Sequence, residues 1–171
     1  AVFYSYGYNS DEKAVASPEG ALPKETVTGN VLSVGDFSSP GDIFINENKI
    51  YIADTKNNRI VITDTGFANT EIIDRFIYDG KEEHFSEPNG LCAAGGLLYI
   101  ADTGNSRIVV LNLDGSYKSC ITAPNDPALP DDFFFKPAKI DVDSYGRIFV
   151  ISTGYNMGLM QFDSDNTYLK S

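Results

Sequence analysis

The strongest constraint on this chain is that it repeats itself. The run Lys49-Ile50-Tyr51-Ile52-Ala53-Asp54-Thr55, continued by Lys56-Asn57-Asn58-Arg59-Ile60-Val61, returns as Leu97-Leu98-Tyr99-Ile100-Ala101-Asp102-Thr103, continued by Gly104-Asn105-Ser106-Arg107-Ile108-Val109. Tyr51 and Tyr99, Asp54 and Asp102, and Arg59 and Arg107 are each 48 residues apart. A third, eroded copy reads Arg147-Ile148-Phe149-Val150-Ile151-Ser152-Thr153-Gly154, with Phe149 50 residues after Tyr99. Upstream of each copy stands Phe-x-x-Pro: Phe37 with Pro40, Phe85 with Pro88, and Phe134 with Pro137, spaced by 48 and 49 residues. Matches held in such register define a tandem array, whose units bury a core by stacking on one another.

Each unit reads as four short strands. An apolar run follows the proline: Ile43-Phe44-Ile45, Leu91-Cys92-Ala93 or Ile140-Asp141-Val142. Turn-forming residues come next, at 46–48, 94–96 and 143–146, then the Ile-Tyr-Ile-Ala strand. A polar turn leads to a third strand, Arg59 to Thr63 or Arg107 to Leu113. The fourth is expected at Glu71 to Tyr78 or Tyr117 to Ile121. No segment carries a helical period over ten residues, and β-branched and aromatic residues dominate. Four antiparallel strands in ~45–50 residues make the blade of a β-propeller. The expected fold is therefore all-β: about three full blades plus a partial one, an incomplete or half propeller.

The pattern Pro-x-x-Ile…Ile-Tyr-Ile-Ala-Asp-Thr-x-Asn-x-Arg-Ile-Val resembles the NHL repeat. That resemblance implies a TolB-like propeller, usually six-bladed. It is carried by residues 37–66, 85–115 and 134–165. In the third copy Ser152 replaces the turn aspartate and Met157-Gly158 stands where Arg-Ile is expected, so this turn must be braced differently. The expected division is 37–84, 85–133 and 134–171 for three blades, the last degenerate, with truncation as the alternative. Residues 1–36 carry no repeat. An aromatic strand at Val2–Tyr8, a surface crossing loop from Asp11 to Gly29 and a strand at Val31–Val34 are expected there, as the outer part of a further blade.

Charge and composition narrow the function. Lys and Arg number 13 against 24 Asp and Glu, a net charge of −11, which argues against nucleic acid because that affinity rests on cationic side chains neutralising phosphates. No stretch reaches the ~18 consecutive apolar residues of a membrane-spanning helix. One histidine and two cysteines are too few for a His-built metal site or a disulfide scaffold. Cys92 on a first strand and Cys120 on a fourth should lie ~14 Å apart, too far to bridge. No metal and no cofactor is expected.

Several candidate residues have structural roles open to them. Asp54 and Asp102 open turns that end in Arg59 and Arg107; a short carboxylate there accepts backbone N–H groups, so these read as structural repeat positions. Asp141–Gly146 resembles a calcium loop in part, but its twelfth position is Ser152 rather than Glu, so a β-turn explains it better. His84 reads as an exposed loop residue. Lyases on this fold, by what the resemblance implies, use several histidines around a zinc. Lactonase-like propellers, by the same implication, hold calcium at the central tunnel. The analogous positions are Gly41-Asp42, Asn89-Gly90 and Ala138-Lys139, where Asp42 and Asn89 offer oxygen atoms and Lys139 would repel a cation. With Phe134 serving the repeat, Phe133 and Phe135 should point the other way, as a pair for a sugar or a partner protein, with inter-blade packing the favoured alternative. Asp42, Asn89, Lys139, Phe133 and Phe135 are thus the candidate ligand-binding residues.

The expected function is a non-enzymatic propeller module that binds a protein, a small ligand or a glycan. The alternative is part of a metal-assisted hydrolase or lactonase whose remaining site residues lie outside this chain. The chain starts at Ala1-Val2-Phe3 without Met, and its first residues resemble those of extracytoplasmic bacterial NHL proteins, so a secreted or cell-surface location is expected. Three blades leave open edges, so a homodimer or the remainder of a longer chain is expected to close the ring.

Overall fold

The computed structural model describes residues 6–8, 10–16, 25–127, 129–154 and 159–169. A hairpin of β1 (Tyr6–Tyr8) and β2 (Ala14–Ala16) opens the chain. The first four-stranded sheet is a meander of β3 (Asp42–Asn46), β4 (Lys49–Asp54), β5 (Arg59–Asp64) and β6 (Thr70–Ile73). A second hairpin follows, β7 (Arg75–Tyr78) with β8 (Lys81–His84). The second sheet contains β9 (Pro88–Ala94), β10 (Leu97–Asp102), β11 (Arg107–Asn112) and β12 (Tyr117–Ile121). The third contains β13 (Pro137–Val142), β14 (Ile148–Ser152), β15 (Met160–Phe162) and β16 (Tyr168–Leu169). All pairings are antiparallel, as in propeller blades.

The middle strands explain why the sheets stack. From Leu98 to Asp102 every residue of β10 is buried, so both faces of the strand are covered. Tyr51, Ala53, Ile60 and Ile62 on the first sheet meet Leu91, Ala93, Leu98 and Ile100 on the second. The opposite face of the second sheet, with Cys92, Tyr99, Ala101, Ile108 and Val110, meets Ile140, Ile148, Val150, Met160 and Phe162 on the third. Two apolar cores thus weld three blades, with β9 beside both β3 and β13. Alanine at Ala53 and Ala101, each fully buried, lets neighbouring sheets approach closely.

Four expectations need correction. The segment 71–78 is not one strand. It breaks at Asp74, and β7 turns away to pair with β8, placing His84 in a hairpin strand rather than a loop. Residues 31–34 form a turn, closed by Val34 N–H to Gly29 O at 2.9 Å, not a strand. The crossing loop contains β2; of it, residues 17–24 lie outside the described residues, as do Val2–Ser5 of the aromatic strand. Finally, the phenylalanine that serves the repeat in the third blade is Phe135, not Phe134. Phe135 is buried with 2% exposure, like Phe85 at 3%, whereas Phe134 is 56% exposed. The third blade lacks one residue between phenylalanine and proline. The missing position is the left-handed one that Ser39 (φ 49°) and Glu87 (φ 48°) occupy.

Candidate functional site

Each of the first two blades ties its polar turn with one buried carboxylate. Asp54 Oδ1 accepts the Ser38 N–H at 2.7 Å, while Oδ2 accepts Asn57 Nδ2 at 2.8 Å and Arg59 Nε at 2.7 Å. Asp102 repeats this with Ser86 N–H (2.7 Å), Asn105 Nδ2 (2.9 Å) and Arg107 Nε (2.8 Å). Both carboxylates are fully buried and have their lone pairs directed at donors of their own chain. The guanidinium groups then reach upstream: Arg59 Nη1 donates to Val34 O at 2.6 Å, and Arg107 Nη1 meets Glu83 Oε2 at 3.2 Å. Burial pulls the Arg107 guanidinium down, but Asp102 and Glu83 outweigh it and hold its pKa above the ordinary value. In the third blade Ser152 Oγ accepts the Lys136 N–H at 2.8 Å, which is the different brace expected; Met157-Gly158 lie outside the described residues. The asparagines Asn57 and Asn105 were not singled out from the sequence, although they too stand 48 residues apart.

The inner strands bring the other polar candidates together. Asp42, Gly90 and Lys139 occupy the same register in three successive blades, paired with Ala53, Ala101 and Ile151. Lys139 Nζ lies 3.0 Å from Asp42 Oδ1 and donates to Gly41 O at 2.8 Å, while Asp42 Oδ2 accepts the Leu91 N–H at 3.2 Å. The ammonium therefore sits between a carboxylate and a carbonyl. Asn89 stands at a register shift of β9, its side chain against Gly41. Gly90 makes the bridge possible. A Cβ there would lie 2.3 Å from Ala138 O and 2.9 Å from Lys139 Cα, both backbone atoms. Gly90→Ala should cost about 1–3 kcal/mol by overpacking, read as a lower midpoint in thermal unfolding; an unchanged midpoint would contradict this account of the axis.

Residues 85–111 match the NHL repeat family. The chain carries an NHL repeat on a β-propeller fold. Hydrazine synthase of Kuenenia stuttgartiensis is 13% identical with a TM-score of 0.58, over 88% of this chain and 38% of that one. Virginiamycin B lyase from Staphylococcus aureus is 14% identical with a TM-score of 0.52, over 96% of this chain and 46% of that one. A structure of the nidogen/laminin complex gives 15% and 0.58, over 77% and 46%. The chain thus spans less than half the length of these similar structures, and at such identities the likeness shows the fold alone. No curated protein sequence matches it.

The remaining candidates fall apart on the propeller blades. Phe135 is buried in the core between the second and third blades, and Phe133 packs partly against the same core, so they do not form an exposed pair. Their rings are 6.5 Å apart, and Phe135 meets Phe162 edge-on at 6.3 Å. His84 Nε2 lies 3.2 Å from Glu82 Oε1 on the exposed hairpin. The turn at 143–146 is pinned by Asp143, which accepts Arg147 Nε at 2.7 Å. Cys92 and Cys120 lie on opposite edge strands of one sheet and are both free thiols. Burial first, then the nearby Asp141, pushes the Cys92 thiol up to about 11, which suppresses the thiolate a nucleophile needs. Among the described residues no three His, Cys, Asp or Glu side chains gather as a metal cluster, and no helix is long and apolar enough to cross a membrane.

Proposed function

We propose that this chain is a non-enzymatic NHL-propeller module that binds a protein or glycan at its axial mouth, in a secreted or cell-surface setting. The observation that carries this reading is the convergence of Asp42, Asn89 and Lys139, from three different blades, at one end of the inner strands. Asp42 and Lys139 keep part of their side chains in solvent, 23% and 45%. A half-exposed ion pair of this kind contributes little stability, about 0–1 kcal/mol. It does offer an acceptor and a donor side by side, suited to sugar hydroxyls or a peptide backbone. The net charge of −11 disfavours polyanions.

The second reading, part of a metal-assisted hydrolase, draws on the oxygen atoms of Asp42, Asn89 and Gly41 at the same place. A glycan and peptide array probed with the wild-type chain and with D42N/K139M separates the two, with thermal unfolding in calcium or EDTA as the second arm. Binding lost in the double variant, with no response to calcium, supports the binding module. A calcium-dependent rise in midpoint overturns it in favour of the metal site, because only ligands of the folded state raise the midpoint.

A further inference from the structure

The two internal blade junctions share a seam at one end of the strands and differ at the other. In the seam, a threonine after the turn aspartate donates to the proline carbonyl of the next blade: Thr55 Oγ1 to Pro88 O at 2.8 Å, and Thr103 Oγ1 to Pro137 O at 2.6 Å. At the far end of the inner strands Asn46, the last residue of β3, spans the first junction and donates from Nδ2 to Ala93 O at 3.1 Å. The equivalent residue at the second junction, 48 positions on, is Ala94, which has no side-chain donor. Gly95 follows it, and a groove of about 540 Å³ opens there between the turns of the second and third blades. Tyr99 lines the groove and is only 7% exposed, yet its phenol makes no hydrogen bond with any described residue and is not sealed from solvent. Leu97 and Val142 line it too, with Ser144, Tyr145 and Ser164. Its one carboxylate, Asp143, is held by Arg147 from Nε at 2.7 Å and Nη2 at 2.6 Å. The same guanidinium lies 5.5 Å from the centre of the Tyr145 ring. Tyr51, the repeat equivalent of Tyr99, differs in its surroundings: burial and then the Glu47 and Glu71 carboxylates raise its pKa, whereas at Tyr99 burial acts with the Cys92 thiol.

We propose that this groove is a second binding site, for the ring of a neutral saccharide, at the opposite end of β9 from the axial mouth. Tyr145 offers an aromatic face to the C–H groups of a sugar, and Leu97 and Val142 give an apolar wall. The Tyr99 phenol and the Ser144 and Ser164 hydroxyls offer partners to its hydroxyl groups. Other ligand classes fit less well. A purely apolar ligand would cover the Tyr99 phenol without giving it a hydrogen bond, and an unpaired buried hydroxyl weakens binding. A charged ligand would find no unpaired counter-charge among the lining residues, and an anion would also meet the net charge of −11. The groove lies at an internal junction, held at its other end by the Thr103–Pro137 bond. This inference does not rest on ligand binding at the axial mouth, and either can fail alone.

Saturation-transfer difference NMR on the whole chain tests it, with glucose, galactose, mannose, N-acetylglucosamine and N-acetylgalactosamine as probes. At least one should bind, with a dissociation constant on the order of millimolar. Tyr99→Phe should weaken that binding about tenfold, the worth of one hydrogen bond, and Tyr145→Ala by a similar factor. Ala94→Asn, which copies the closure Asn46 makes at the first junction, should abolish it. D42N/K139M should leave it unchanged. Thermal unfolding separates binding from folding: Tyr99→Phe removes an unpartnered hydroxyl, so its midpoint should equal or exceed that of wild type. No saturation transfer to any of these sugars overturns the inference, as does binding that Ala94→Asn and Tyr99→Phe both leave intact. Binding lost in D42N/K139M but kept in Ala94→Asn belongs to the axial mouth; it overturns this inference and leaves that reading standing. A Tyr99→Phe chain with a lowered midpoint would assign the phenol to the fold and overturn the inference as well.

Discussion

Phe135→Ala should lower stability by about 3–5 kcal/mol, and Phe134→Ala, one residue earlier, should change it by less than about 0.5 kcal/mol. Phe135 fills the core between the second and third blades, beside Phe162, Ile140 and Met160, and truncation leaves a cavity that two sheets frame. Phe134 is 56% exposed and leaves none. A domain's whole stability is about 5–15 kcal/mol, so the first variant should lose a large part of its denaturant midpoint. Urea unfolding of both variants measures the difference. Equal effects would return the repeat to Phe134 and break the one-residue deletion inferred for the third blade.

Asp102→Ala should be as costly, about 3–5 kcal/mol, because it removes one partner of a buried ion pair and leaves the other charge behind. Three donors lose their acceptor at once: Ser86 N–H, Asn105 Nδ2 and Arg107 Nε. Arg107 keeps Glu83 Oε2 and His84 O, and its guanidinium lies 5.3 Å from the centre of the Phe76 ring, so the damage should spread into the β7–β8 hairpin. Hydrogen exchange at Arg75–His84 should therefore accelerate along with that of the turn. Asp102→Asn should recover part of the loss, since its amide oxygen can still accept the Ser86 N–H. An Asp102→Ala chain as stable as wild type would show that the buried carboxylate is dispensable.

The blades were legible in the sequence because packing on both faces requires the same residue types at the same register. Tyr51 and Tyr99, and Asp54 and Asp102, mark equivalent strand and turn positions directly. Where register slips, pattern reading slips with it. Phe133-Phe134-Phe135 offers three phenylalanines to a motif that needs one, and the deleted left-handed residue shifts the choice by one. Arg75–Tyr78 has strand-like residues and follows a strand, so the break at Asp74 leaves little local signal; the hairpin forms because Phe76 finds Phe85 and Tyr117. The axial pair was half legible. Asp42 and Lys139 were placed in one ring from the repeat, but their contact depends on Gly90, whose missing side chain matters only once the third blade lies against it.

The threonine-to-proline seam also bears on how such chains change length. Because Thr55 and Thr103 engage Pro88 and Pro137 in the same manner, loss or duplication of one 48-residue unit leaves a donor facing an acceptor on either side of the splice. Thr55 would meet Pro137 as it now meets Pro88. Blade number can thus change by whole units without any new junction chemistry having to arise. Such an event would also sever the Asp42–Lys139 bridge, which counts blades because it spans one glycine-bearing neighbour.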